Sequence, residues 1–111
     1  ELVTAAGAAE QARVHAMAEH VLPVSLRSPG LRDDTRLGKS LARYALESIR
    51  APTLVVGAPD DGFGTYAAAQ YTASQIPGAR FVGFAQGGHL LVGHGEAMFA
   101  HILQLLRASR P

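Results

Sequence analysis

Thr53-Leu-Val-Val-Gly57-Ala-Pro-Asp60-Asp61 is the stretch that decides the architecture of this chain. Pro52 disfavours helical backbone at Ala51 and launches an extended segment. Apolar, strand-compatible residues without polar alternation predict a strand over Thr53–Gly57 that is buried on both faces, as in a parallel sheet. Gly57 and the turn residues after it end that strand and leave a carboxylate just beyond it. A second strand is expected over Arg80–Phe84, and the Gly87-Gly88 turn that follows delivers His89. An acid and a base therefore each stand at the carboxyl end of a strand, the edge where open α/β sheets bind ligands. No Gly-x-Ser-x-Gly turn occurs in the 111 residues, so no nucleophile elbow accompanies them.

Outward from this pair, helical spacing of Tyr66, Ala69, Ala73 and Ile76 predicts a helix over about 65–76, stopped by Pro77-Gly78. A last helix is expected from Glu96 to about Arg107, with Phe99, Ile102, Leu103 and Leu106 on one side. Its acidic residue lies in the first turn and its basic residue in the last, as the helix dipole prefers. Towards the amino end, Val14, Met17, Ala18 and Val21 predict one helix over about Thr4–Leu22, ended by Pro23. Residues 24–30 read as a connector because Ser-Pro-Gly is turn chemistry. Asp33, Asp34 and Thr35 are expected to cap a second helix over about Thr35–Leu46, with Leu37, Leu41, Tyr44 and Ala45 as its apolar face. The order helix, helix, strand, helix, strand, helix is an α/β arrangement: a βαβα unit with two parallel strands behind a helical segment.

Composition excludes several classes. Hydrophobic residues make up 48% and charged residues 17%, ordinary for a globular core. A net charge of +1 without a basic run gives no footprint for nucleic acid. With no cysteine there is no disulfide, thiolate metal site or cysteine nucleophile. No apolar run is long enough to span a membrane and no signal-peptide pattern opens the chain; the compartment is left unknown, with the cytoplasm standing only as the default. An opening at Glu1 rather than Met raises the expectation of an upstream part.

Ala51-Pro-Thr-Leu-Val-Val-Gly-Ala-Pro-Asp60, the Ile76-Pro-Gly-Ala79 turn and the Gly87-Gly-His89 loop, in this order, resemble the C-terminal part of an α/β-hydrolase fold protein. That family places the triad acid after the penultimate core strand and the histidine after the last one. The resemblance implies that residues 49–111 are the C-terminal part of the core and that residues 1–48 are a helical cap-like segment. It implies a parent hydrolase, of serine type, acting on ester-like small substrates, with Asp60 as the triad acid and His89 as the base. Relatives with an aspartate nucleophile keep the same acid and histidine, so ester, amide, epoxide and carbon-halogen cleavage all stay open. The nucleophile and oxyanion hole of a complete member are absent, so the chain alone is expected to be an inactive fragment. It would need its missing N-terminal half or would self-associate. A non-catalytic binding or assembly module built on the same fold is the alternative.

The chemistry needs an imidazole held in one tautomer by a carboxylate on its other nitrogen. Three residues after Gly57, Asp60 has the position at which the resemblance implies that carboxylate; Asp61 is expected to cap the loop, although spacing alone allows the two to exchange roles. His15, His20 and His101 are read as structural helix residues. His89 and His94 are five apart with no third ligand or carboxylate between them, which does not fit a helical zinc motif; no metal and no cofactor is expected. Phe63 and Tyr66 border either a substrate cavity or the core.

Overall fold

The computed structural model describes residues 1–109, so the last two residues of the expected 49–111 unit lie outside the described residues. Seven regular elements follow one another: α1 (Leu2–Ala5), α2 (Ala8–Val21), α3 (Ser28–Gly38), β1 (Leu54–Gly57), α4 (Tyr66–Gln75), β2 (Arg80–Gly83) and α5 (Gly95–Ala108). Short 3-10 turns occupy Val24–Arg27 and Leu46–Ser48. From β1 onward this is the expected α/β architecture, a βαβα unit with two parallel strands.

Strands β1 and β2 pair in parallel with Leu54 opposite Arg80 and Gly57 opposite Gly83. Alternation along the strands sends Gly57, Phe81 and Gly83 to one face and Leu54, Val56 and Arg80 to the other. On the first face lies α4. Tyr66 packs edge-on against Phe81, with ring centroids 5.6 Å apart, and passes over the paired glycines. A Cβ at Gly57 would sit 3.2 Å from the Tyr66 ring, and one at Gly83 would sit 2.6 Å from its hydroxyl. The two glycines are what allow the helix to approach the strand ends. On the second face lies α5. Met98, Ile102 and Leu105 form an open groove of about 390 Å³ with Pro52, Thr53, Leu54 and Val56. Arg80 reaches α5 by donating to Gln104 Oε1 at 2.7 Å and to His101 Nδ1 at 3.1 Å.

The strand expected to be buried on both faces is only half-buried along its length. Among the described residues the buried apolar side chains are Ala58, Ile76 and Leu91. An accessible surface of 8145 Å² exceeds the roughly 5,800 Å² that the size scaling of compact monomers gives for a chain of 11.6 kDa. The sheet has a helix on each face but too few layers to enclose either.

The helical segment departs from expectation in two places. The single helix over Thr4–Leu22 is two, because Ala6 is extended and Gly7 caps the start of α2 without being helical itself. The second helix begins seven residues earlier than the expected Thr35 and ends at Gly38. Pro29 explains the early start, since its fixed φ and missing N–H suit a first turn. Asp33, Asp34 and Thr35 consequently lie inside α3 rather than at its cap. There Asp33 pairs with Arg36 at 3.2 Å, and the Thr35 hydroxyl donates back to the Leu31 carbonyl at 2.8 Å. Leu41, Tyr44 and Ala45, expected on a helix face, fall in irregular chain after Gly38, and Leu41 and Tyr44 are exposed.

Candidate active site

The carboxyl ends of β1 and β2 carry the two loops that meet. After β1 the chain turns at Ala58–Asp61, where the Asp61 N–H donates to the Ala58 carbonyl at 3.2 Å. After β2 the Phe84 N–H donates to the Gly57 carbonyl at 2.9 Å, which carries the parallel pairing one step further and aims the second loop at the first. This second loop, Gly87–His94, uses left-handed backbone at Gly87 (φ 138°), Gly88 (φ 60°), Leu91 (φ 50°) and Gly93 (φ 84°). A Cβ at Gly87 would also sit 3.0 Å from the Leu91 backbone, so the loop folds tightly on itself.

Both expected site residues, Asp60 and His89, come to this junction, but they do not meet each other. The Asp60 carboxylate accepts two backbone N–H groups of the histidine loop, Gly87 to Oδ2 at 3.0 Å and Gly88 to Oδ1 at 2.9 Å. Asp61 is the residue beside the imidazole, with His89 Nδ1 3.0 Å from its Oδ2. The same Oδ2 accepts the Thr65 hydroxyl, and Oδ1 accepts the Phe63 N–H at 2.9 Å. Sequence reasoning left Thr65 unassigned, while the Asp61-Gly62-Phe63 side-chain turn was accessible from the turn propensity of Asp-Gly.

These contacts set the charge state. Donation from Thr65 first, then from His89 and the Phe63 amide, holds the Asp61 carboxyl down at about 2. Asp60 is also held below the usual carboxylate range, by the Gly87 amide first and the Gly88 amide next. Both are therefore anionic near neutrality. A carboxylate accepting at Nδ1 requires Nδ1–H, which in the neutral ring leaves the lone pair on Nε2. Among the described residues Nε2 takes no hydrogen-bond partner, and the His89 side chain is 54% exposed while that of Asp61 is 5% exposed. A small hollow of about 130 Å³ lies against the pair, bounded by Val56, Gly57, Ala58, Thr65, Gly88 and Leu91.

The neighbouring aromatic residues separate in role. Phe63 stands exposed with its ring edge against His89, centroids 4.7 Å apart. Tyr66 belongs to the packing over the sheet. His94 stacks on Phe84 at 4.3 Å, and His101 accepts from Arg80. Among the described residues no three His, Asp or Glu side chains converge as metal ligands would, and no helix is long and apolar enough to cross a membrane.

Comparison with known proteins gives two findings. A family model described as serine hydrolase matches residues 2–108. Polyketide synthase ThaQ of Burkholderia thailandensis is 44% identical over 66 residues, which make up 59% of this chain and 3% of that protein. The chain thus spans only a small fraction of the length of this curated relative. No solved structure matches it significantly.

Proposed function

We propose that this chain, which belongs to the serine hydrolase family, supplies the base and the orienting acid of a Ser-His-Asp hydrolase acting on a small ester-like substrate. The observation that carries the reading is the 3.0 Å contact between His89 Nδ1 and Asp61 Oδ2, with Nε2 left open on the exposed side of the ring. In this arrangement Nε2 takes the proton of a nucleophilic hydroxyl as it attacks the substrate carbonyl. Asp61 stabilises the imidazolium so formed without itself taking a proton, and the same nitrogen returns the proton to the leaving group. Asp60 takes a different part from the one its spacing implies. It holds the backbone from which His89 projects, acting on the base through the loop.

The nucleophile belongs, on this reading, to a part of the hydrolase beyond these 111 residues, since they contain no Gly-x-Ser-x-Gly turn. The open groove between β1 and α5 and the large accessible surface support the need for a complementary part, either the remaining half of the hydrolase or a second copy. The match to a short stretch of a far longer synthase is compatible with a unit that works inside a larger polypeptide. Without a nucleophile and an oxyanion hole, the isolated chain is expected to hydrolyse activated esters no faster than free imidazole.

Steady-state kinetics of single variants in the protein that carries the nucleophile test the assignment. His89→Ala is expected to lower kcat by about 10,000-fold or more, with KM little changed. Asp61→Asn is expected to lose about 10,000-fold, because an amide can donate to Nδ1 and so favour the wrong tautomer. Asp60→Asn replaces one of two acceptors by a donor facing a backbone N–H, and the displaced loop is expected to cost about 10 to 100-fold. A loss for Asp60→Asn deeper than for Asp61→Asn would return the orienting role to Asp60.

A further inference from the structure

We propose that Glu10 and Arg13 of α2 are positioning residues for His89, latching the far end of its loop to the helix. The inference rests on the reading of His89 as the base. Asp60 pins only the near end of the loop, at Gly87 and Gly88. The far end is held by α2. Glu10 Oε1 accepts the Gly93 N–H at 3.1 Å, and Arg13 Nη2 donates to the Leu90 carbonyl at 2.8 Å, contacts that span 83 and 77 residues of sequence.

The two side chains also fix each other. Arg13 Nη2 lies 2.6 Å from Glu10 Oε1 and its Nε donates to Oε2 at 3.1 Å, a two-point pair whose planar geometry restricts both groups. With 16% and 33% of their side chains exposed, Glu10 and Arg13 are less solvated than the ion pairs of α3 and of the chain after it. The fit extends to the start of α5, where a Cβ at Gly95 would lie 3.1 Å from Glu10 Oε2.

The loop needs such a hold. Leu91 is a non-glycine residue in left-handed backbone, a conformation that persists where the surroundings determine it. Leu90, whose carbonyl Arg13 grips, is the residue directly after His89. A base works only when its nitrogen is held close to the productive position, and a displacement of about 1 Å can cost about 100-fold. The placement of α2 and that of the imidazole are therefore mechanically linked.

The test compares Glu10→Gln, Arg13→Met, Arg13→Lys and His89→Ala in the protein that carries the nucleophile. Three measurements are made: kcat and KM on an activated ester, amide exchange over residues 87–94, and the ¹⁵N signals of the His89 ring. Glu10→Gln and Arg13→Met are expected to lower kcat about tenfold or more with KM within about twofold. They should also raise amide exchange over 87–94 and shift the Nδ1–H signal, with Arg13→Lys intermediate. Wild-type kcat, loop exchange and ring signal in both variants would overturn the latch. So would a lowered melting temperature with all three unchanged, the mark of a simple brace. Wild-type turnover in His89→Ala would instead overturn the reading of the base, and the exchange and ring signals would still report on the latch.

Discussion

The βαβα unit from β1 to α5 and the helical segment before it differ in what specifies them. In the first, Gly57 opposite Gly83, Tyr66 across both, and α4 and α5 on opposite faces are mutually dependent, so a change at one place is felt at the others. In the second, Leu22, Leu26, Leu31, Leu37 and Leu41 are all exposed, and the pairs Arg36–Asp33 and Arg43–Glu47 lie in solvent, where ion pairs contribute little. The lesson is that packing fixes the first region while local chain breakers fix the second. Gly7 and Pro29 set the helix starts there, where no helix residue is buried.

Substitutions can break or sharpen this contrast, and the largest effect is expected in the sheet. Gly83→Val places branched carbons where the Tyr66 hydroxyl already lies, and is expected to destabilise folding by about 1–3 kcal/mol through overpacking. Chemical denaturation monitored by circular dichroism measures it, and an unchanged midpoint would show that α4 rides loosely on the strands. A smaller and local effect is expected from acid. Asp60 and Asp61 have folded-state pKa values below their ordinary value of 3.8, so the stability they lend is complete above that value and is lost as pH falls through the depressed ones. For Asp61 the window runs from 3.8 down to about 2. The amide signal of Phe63 is expected to move in this range and those of Gly87 and Gly88 below 3.8, and a midpoint at or above 3.8 would contradict the hydrogen bonds described. The smallest effect belongs to the helical segment. Leu26→Ala, at a position 79% exposed, is expected to alter stability by less than about 0.5 kcal/mol. A loss of 2 kcal/mol there would mean that the segment is covered in solution.

The same contrast explains what could be read in advance. The strand over Thr53–Gly57, the helix from Tyr66 to Gln75 and the strand at Arg80 were legible because a hydrophobic run, a helical repeat and turn residues coincide at each. The early start of α3 was not, because Ser28-Pro29-Gly30 suits a turn as well as a first helical turn, and burial did not decide between them. The latch by Glu10 and Arg13 was invisible for another reason: an i, i+3 Glu–Arg pair on a helix is ordinary surface chemistry until its long-range partners are known.

By itself the sequence determined that an acid turn and a histidine loop follow two parallel strands in that order, since strand, turn and glycine preferences act between near neighbours in the chain. Which of two adjacent aspartates meets the imidazole was decided only by the tertiary structure. Asp60 and Asp61 are chemically identical and one step apart, and their side chains leave the turn in different directions. One reaches the Gly87 and Gly88 amides and the other the His89 ring, 27 and 28 residues away. That choice depends on how the second loop folds on its left-handed glycines and on what holds it there, and no spacing within the first turn encodes it.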